Sequence, residues 1–203
     1  MERHPRRAQV MRHAKRIFAR KGYHRTNVAD IIARARIARG TFYLYFENKK
    51  VLFEELLEQV LGELTVRIQR IRPGPTEADP VDQLRANLTR VLRYVLAERE
   101  LTGILLNHST GFDRELDDRI RDFYDRIAAL IKRSLDLGIE MNLVRNSDTR
   151  AVSYAILGGI KEVVGMLSRS DDPDIAALVE EILGFGLRGV ARPELFEVRP
   201  TPR

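Results

Sequence analysis

Side chains suited to bind a polyanion are concentrated in one short segment, ARIARGTFYLYFENKK, at residues 35–50. It contains four closely spaced aromatic residues: Phe42, Tyr43, Tyr45 and Phe46. In a helix, Phe42 and Phe46 lie one turn apart on one face and can enter a core, which directs both tyrosines to other sides. A phenol hydroxyl and a lysine ammonium both donate to phosphate oxygens, and Lys49 and Lys50 follow directly. The spacing predicts a nucleic-acid contact; the alternative is that all four rings are core residues.

The positive charge of the chain belongs to its first fifty residues. The 203 residues carry a formal net charge of +6 at pH 7. Residues 1–50 hold fourteen Lys and Arg against three acidic residues, a charge of +11, whereas residues 51–203 hold twenty-one against twenty-six, a charge of −5. A basic module joined to a mildly acidic one indicates a polyanion-binding head on a body with a different role. The simpler alternative is a well-solvated face.

The composition argues against several kinds of chemistry. The chain has no cysteine, which excludes disulfides, thiol catalysis and thiolate metal sites. The four histidines show no metal-ligand spacing, and no titratable pair lies outside helix caps and solvated faces, so we expect no metal, no cofactor and no catalytic residues. The sequence has neither a run of eighteen apolar residues nor a signal-like N-terminus, and we expect a cytoplasmic protein.

Helical periodicity dominates the chain and predicts an all-α fold. Three short helices are expected at about 6–21, 27–35 and 39–46, with Gly22 as a left-handed cap and Asn27 forming a capping box with Asp30. A long helix follows from the N-cap Asn48 to about residue 71. The proline-rich loop RPGPTEADP occupies residues 72–80. Further helices are predicted at about 81–98, 100–109, 113–140, 148–169 and 173–189.

This order of helices predicts four segments. They are a three-helix helix-turn-helix DNA-binding domain at 1–50, a connecting helix at 51–71, a larger helical ligand-binding and dimerisation domain at 81–190, and a flexible tail at 191–203. The second helix of a helix-turn-helix enters the major groove of DNA. With Phe42 and Phe46 directed inward, the candidates for groove contact are the residues on the other sides of that helix: Arg39, Gly40, Thr41, Tyr43, Leu44 and Tyr45. Lys49, beside the free N–H groups that begin the next helix, is a candidate for phosphate contact.

The segment IFARKGYHRTNVADIIARARIARGTFYLYFENKKVLFEELL resembles the DNA-binding domain of the TetR (tetracycline-repressor) family of transcriptional regulators over about residues 7–57. The shared motifs are F-x-x-x-G-Y ending the first helix, I-x-x-x-A before the turn, then G-T-F-Y-x-Y-F and an N-K pair. The resemblance implies phosphate contacts by Asn27, Tyr43 and Lys49. It implies groove contacts by Arg39, Gly40, Thr41, Leu44 and Tyr45.

The chain departs from the pattern of that family at three positions in and near the turn. Arg36 replaces the usual turn glycine, Ala38 replaces the serine N-cap, and Ile32 replaces a small residue after Ile31. An arginine in a left-handed conformation is expected to cost ~1 kcal/mol relative to glycine, and the loss of the cap about as much.

The body of the chain predicts a ligand cavity and a dimer. His108 is either a structural residue at a helix end or a polar contact in an apolar cavity, with Phe112, Tyr124 and Tyr154 as further candidate contacts. Two helices, AVSYAILGGIKEVVGML and DIAALVEEILGFGLRGV, are apolar over more than one face, which indicates a partner surface. The resemblance implies that these last helices form a four-helix dimer interface. The candidate interface residues are Ala155, Gly158, Gly159, Ile182 and Phe185.

The expected function is a ligand-responsive regulator, specifically a repressor, that binds a near-palindromic DNA operator as a homodimer and is released by a small hydrophobic effector. Residues 125–164 are also similar to regulators that sense lipids or acyl-CoA thioesters. A constitutive DNA-binding or architectural dimer without an effector is the alternative. A small helical enzyme or a membrane-surface protein fits less well, because the sequence has no catalytic pair and the apolar residues of the head are needed for its core.

Overall fold

The computed structural model describes residues 5–106, 114–168 and 173–190, which form an all-α structure as predicted. The helices in these ranges are α1 (Pro5–Lys21), α2 (Val28–Ala35), α3 (Arg39–Tyr45), α4 (Lys49–Arg67), α5 (Pro80–Ala97), α6 (Arg99–Leu106), α7 (Arg114–Glu140), α8 (Thr149–Leu167) and α9 (Ile175–Val190). The predicted tail at 191–203 and the end of the predicted helix 100–109 lie outside the described residues. The other helices agree with the predicted ranges to within a few residues, as expected for helix ends.

The chain divides into two compact units. The first is Met1–Leu64 with Tyr94–Phe123, and the second is Thr65–Arg93 with Tyr124–Arg203. Helices α4, α5 and α7 contribute residues to both units. The first unit contains the predicted helix-turn-helix, in which α2 packs against both α1 and α3.

The core of the first unit is built from apolar residues of α1, α2, α3 and α4. The α1 residues Val10, Ala14, Ile17 and Phe18 are buried. On α2, Ile31 and Ala35 are buried, whereas Val28 and Ile32 remain partly exposed. Phe18 and Phe53 lie 5.8 Å apart between ring centroids in an edge-on arrangement, and Tyr23 lies 5.0 Å from Phe53. Such aromatic contacts add to the hydrophobic stabilisation of the core.

Backbone caps set the ends of the first two helices. Gly22 has a φ of 80°, and its N–H donates to the Phe18 carbonyl over 2.8 Å, which confirms the predicted left-handed cap. The capping box of α2 is also present, because Asn27 Oδ1 accepts from the Asp30 N–H at 2.8 Å and the Asp30 carboxylate accepts from the Asn27 N–H at 3.1 Å.

Helix α4 ends at Arg67, four residues earlier than predicted. The cause is a contact with α5 in the second unit. The buried Asn87 accepts from the Gln69 N–H at 2.9 Å and donates to the Gln69 carbonyl at 2.7 Å, while Arg90 donates to the Arg67 carbonyl at 3.0 Å. The Gln69 N–H and the carbonyls of Arg67 and Gln69 are therefore bonded to α5 side chains, whereas a longer α4 would pair them with its own backbone.

The end of α7 is shaped by a close approach. Asn142 has a φ of 59°, and the N–H groups of Asn142 and Leu143 donate to the carbonyls of Ile139 and Gly138. This pair of hydrogen bonds is a Schellman motif. It brings Val144 so close to Gly138 that a Cβ atom at position 138 would lie 2.6 Å from Val144 Cγ2.

We expect Gly138→Ala to lower the free energy of unfolding by about 1–3 kcal/mol, because the added methyl group overpacks this contact. The matched control is Gly62→Ala on α4, where a Cβ atom would have no neighbour within 4 Å. That change should instead raise the free energy of unfolding by about 0.5–1 kcal/mol through helix propensity. Urea unfolding at fixed protein concentration measures both, and a stabilised Gly138→Ala variant would contradict the packing described.

Candidate nucleic-acid interface

Helix α3 is anchored by two buried rings. Phe42 is fully buried and Phe46 is 1% exposed, with 5.8 Å between their ring centroids. The Arg7 guanidinium lies over the Phe46 ring, 5.3 Å from its centroid, which is within cation–π range. The prediction that these two rings point inward is confirmed, and their burial fixes the rotation of α3 about its axis.

The remaining sides of α3 face solvent. Leu44 is 75% exposed and Tyr43 is 46% exposed. Arg39 and Gly40 are exposed, and Thr41 and Tyr45 are half-buried. The Arg39 guanidinium lies 5.8 Å from the Tyr43 ring centroid. The alternative in which all four aromatic rings are core residues is therefore wrong for Tyr43, and the exposed edge combines a guanidinium, a phenol and an apolar side chain.

The turn between α2 and α3 holds Arg36 in a left-handed conformation, with φ 51° and ψ 51°. The Arg36 N–H donates to the Ala33 carbonyl and the Ile37 N–H to the Ile32 carbonyl, both at 3.3 Å. These bonds form a Schellman motif, for which glycine is the usual residue. Helix α3 then begins without a side-chain cap, because the N-cap residue is Ala38. Both departures from the family pattern have the predicted structural effect.

The start of α2 presents Asn27 on the surface beside a fixed carboxylate. The Asp30 side chain accepts from Lys21 Nζ at 2.9 Å. This bond, followed by the bond from the Asn27 N–H, holds the pKa of the Asp30 carboxyl below its ordinary value. The carboxylate therefore stays ionised while Lys21 offsets its charge, which limits its repulsion of an approaching phosphate.

Lys49 has a structural contact that the sequence did not predict. Its Nζ donates to the carbonyls of Tyr23 and Thr26, at 2.8 Å each, and lies 4.1 Å from the Tyr23 ring centroid. The ammonium thus ties the start of α4 to the loop between α1 and α2. Its neighbour Lys50 forms an ion pair with Glu115. The sequence gives no signal for this role of Lys49, because the two carbonyls lie twenty-six and twenty-three positions away along the chain.

The candidate ligand residues are only partly described. His108 and Phe112 lie outside the described residues. Tyr124 is half-buried with Lys161 Nζ 5.4 Å from its ring centroid, and burial, helped by the Glu162 charge, raises the pKa of Tyr124 to about 12. Tyr154 is 42% exposed, and its hydroxyl donates to Asp125 at 2.7 Å, a bond that raises the pKa of this phenol.

The candidate dimer residues lie on exposed sides of α8 and α9. Ala155, Gly158 and Gly159 are exposed on α8. Phe185 on α9 is 87% exposed, whereas Ile182 is half-buried. Phe185 is therefore a large apolar side chain exposed on α9, and Ala155, Gly158 and Gly159 give α8 an exposed surface of small residues.

The described part of the chain has neither a cluster of metal-ligating side chains nor a helix that could cross a membrane. Among residues 5–106, 114–168 and 173–190, no group of three or more His, Asp or Glu side chains is placed to hold a metal ion. No helix in those ranges is both long enough and apolar enough to cross a membrane.

Two family models match the chain. The model described as "Bacterial regulatory proteins, tetR family" matches residues 10–56, which include α2, α3 and the start of α4. The model described as "Tetracyclin repressor-like, C-terminal domain" matches residues 77–165. Together they span about two thirds of the sequence.

The chain is similar to known proteins over most of its length. The chain is 23% identical over 191 residues to the "Fatty acid metabolism regulator protein" of Bacillus subtilis (strain 168), covering 93% of this chain and 97% of that protein. It is 26% identical over 160 residues to the "Nucleoid occlusion factor SlmA" of Vibrio campbellii, covering 78% and 81%. The solved structure of the fatty acid degradation regulator FadR from Bacillus halodurans has a TM-score of 0.73 and 25% identity, covering 92% of this chain and 97% of that one.

Proposed function

Because the chain belongs to the tetR family of bacterial regulatory proteins, we propose that it is a ligand-responsive repressor that binds a near-palindromic operator as a homodimer. Members of this family are transcriptional regulators, so the chain is a DNA-binding regulator and not an enzyme. The observation that carries the finer proposal is the exposed edge of α3 around Tyr43 and Leu44, held outward by the buried Phe42 and Phe46. We place its action in the cytoplasm, where an operator is accessible.

In this proposal α3 lies in the major groove. Arg39, Gly40, Thr41, Leu44 and Tyr45 contact the groove. Arg39 can donate two bonds to a guanine edge, and an apolar Leu44 suits a thymine methyl. Tyr43 and Asn27 contact phosphates on either side. Lys49 contacts a phosphate in addition to, or in exchange for, its bonds to the carbonyls of Tyr23 and Thr26.

The dimer is proposed to form through α8 and α9. Burial of Phe185 against a partner subunit would remove a ring that is 87% exposed, worth roughly 2–3 kcal/mol for each copy. The exposed Gly158 and Gly159 allow another helix to approach closely. A two-fold axis would place two α3 helices about 34–36 Å apart, one turn of DNA. We retain the division into a DNA-binding domain at 1–50, a connecting helix at 51–71, a ligand-binding and dimerisation domain at 81–190 and a tail at 191–203.

The effector is proposed to be a hydrophobic molecule with an anionic end, such as a fatty acyl thioester. Two similar proteins are named as fatty acid metabolism and fatty acid degradation regulators, which supports this class. Tyr124, with Lys161 over its ring, offers an apolar surface beside a cation. His108 and Phe112 remain candidate contacts, and Tyr154 would have to exchange its bond to Asp125 to contact a ligand. The effector would prefer a conformation unsuited to the operator and so lower its affinity.

A second candidate function is constitutive DNA binding without an effector. The similarity to a protein named as a nucleoid occlusion factor favours it over any enzymatic alternative. In that case the exposed edge of α3 and the dimer remain, but operator affinity does not respond to small molecules.

Tyr43→Phe should weaken binding to every duplex without changing the preferred sequence. The variant removes only the hydroxyl that donates to a phosphate, a loss of about 1.5 kcal/mol or roughly tenfold in affinity. Thr41→Ala should instead change which bases are preferred, because its hydroxyl and methyl group face base edges. In-vitro selection from a random duplex library, followed by fluorescence anisotropy titration, measures both effects. If Tyr43→Phe changed the selected sequence while Thr41→Ala did not, the two roles would be assigned wrongly.

A long-chain acyl-CoA should lower the affinity of the full chain for its selected duplex by about 5–150-fold. Free coenzyme A is the control for charge and headgroup, and concentrations are kept below micelle formation. Anisotropy of the labelled duplex gives the affinity in each case. An affinity that no acyl-CoA or fatty acid changes would favour the constitutive alternative over the repressor.

Phe185→Glu should raise the dimer dissociation constant by at least about 100-fold, because two buried rings are replaced by two charges. Val66→Glu is the matched control, since Val66 is 74% exposed on α4 and belongs to no proposed interface. Sedimentation equilibrium of both variants gives the mass. A dimeric Phe185→Glu variant, or a control that dissociates equally, would rule out this interface.

A further inference from the structure

Four arginines form a cluster at the meeting point of α1 and the C-terminal end of α2, which we name the arginine cluster. All four side chains are exposed: Arg12, Arg16, Arg34 and Arg36. Gln9 Nε2 donates to the Ala35 carbonyl at 3.0 Å, which fastens the end of α2 to α1. Arg34 and Arg36 flank Ala35, and Arg12 and Arg16 follow Gln9 along α1 at helical spacing.

His13 lies within the arginine cluster, and the positive charge of the cluster affects the pKa of its imidazole. The Nδ1 atom of His13 is buried without a hydrogen-bond partner among the described residues. Burial, followed by the charges of Arg16, Arg34, Arg12 and Arg36, lowers the pKa of the His13 imidazole below its ordinary value. The four charges that lower this pKa come from α1, from α2 and from the turn, and all are positive.

Among the residues that the structure describes, the arginine cluster has almost no counter-charge. Arg16 has Glu100 at 3.5 Å, but within the described part of the chain Arg12, Arg34 and Arg36 have no carboxylate within ion-pairing distance. Elsewhere on the same helix, Arg7 pairs with Glu55 and Lys15 with Glu98. Unpaired like charges repel one another, and a polyanion would relieve that repulsion.

Arg36 also occupies a backbone conformation that favours another residue. Its φ of 51° lies in the left-handed region, which glycine adopts freely and which strains the backbone of an arginine. Arg36 lies three residues before Arg39, where α3 begins. Because backbone strain is concentrated at functional sites, the Arg36 side chain is a candidate functional group.

We propose that the arginine cluster binds the phosphate backbone of duplex DNA outside the groove that α3 enters, and so lengthens the DNA site beyond the bases that α3 contacts. The proposal rests on the proposed function, because it assumes that α3 binds a duplex. Guanidinium groups suit this role, since each can donate two parallel hydrogen bonds to one phosphate. Such contacts add affinity and salt dependence but read no bases.

The test compares two lengths of one duplex. The sequence is selected from a random library with the full wild-type chain. The short form ends at the outermost base pair whose change alters affinity, and the long form adds about ten base pairs of flank on each side, one helical turn. Affinity is measured by anisotropy over a range of salt concentrations. The variants are Arg36→Gln, Arg34→Gln and Arg36→Gly, with Arg121→Gln on α7 as a control of equal charge change.

On the long duplex, Arg36→Gln should reduce the slope of log affinity against log salt by about 0.9 for each bound subunit, and should weaken binding near 0.15 M salt by roughly fivefold per subunit. Arg34→Gln should act in the same direction. Neither variant should alter the preferred bases or the affinity for the short duplex, and Arg121→Gln should behave as wild type. Arg36→Gly should show the same loss of binding while its Tm rises by about 2–4 °C, because glycine relieves the turn.

The proposal is overturned if Arg36→Gln and Arg34→Gln keep the wild-type slope and affinity on the long duplex while the wild-type chain binds and discriminates sequences. That result would leave the proposed function standing. Equal losses on the short and long duplexes would also overturn it, because the contacts would then lie within the site of α3. A wild-type chain that binds no duplex would overturn both proposals.

Discussion

The burial of Phe42 and Phe46 is the constraint on which the interface depends. A seven-residue helix is too short to be stable alone in water, so α3 exists because its rings pack into the core of the first unit. Each ring contributes roughly 2–3 kcal/mol of hydrophobic stabilisation, and together they fix which side of the helix faces inward. The exposure of Tyr43 and Leu44 follows from that rotation, because neighbouring residues on a helix point about 100° apart.

The basic residues of the head divide into two groups with different roles. Arg7, Lys15 and Lys50 pair with carboxylates of the same unit. Lys49 donates to backbone carbonyls of the loop between α1 and α2. These cations contribute to the structure, and exposed pairs of this kind stabilise it only modestly. Lys21 also pairs with Asp30, and Arg16 lies 3.5 Å from Glu100. Among the residues that the structure describes, Arg12, Arg34, Arg36 and Arg39 have no such carboxylate partner. The charge of +11 in residues 1–50 therefore overstates what is available to a polyanion.

Local patterns in the sequence were sufficient to predict much of this structure. The spacing of Phe42 and Phe46 predicted the face of α3, and Asn27 with Asp30 predicted the start of α2, because both depend on neighbours within one helical turn. The replacement of a family glycine predicted the left-handed Arg36. The shortened α4 and the bonds of Lys49 could not be predicted, since they arise from residues eighteen or more positions away. Local periodicity carries no information about such pairs.

The central claim is that the side of α3 opposite its buried rings lies against the bases of a duplex. Photocrosslinking tests it most directly, with p-benzoylphenylalanine incorporated at position 44 of the full chain and, as a control, at the equally exposed position 66. With a selected duplex, the account predicts a crosslink from position 44 to a base within the selected sequence and none from position 66. A duplex crosslinked only from position 66, or from neither position while binding persists, would contradict it.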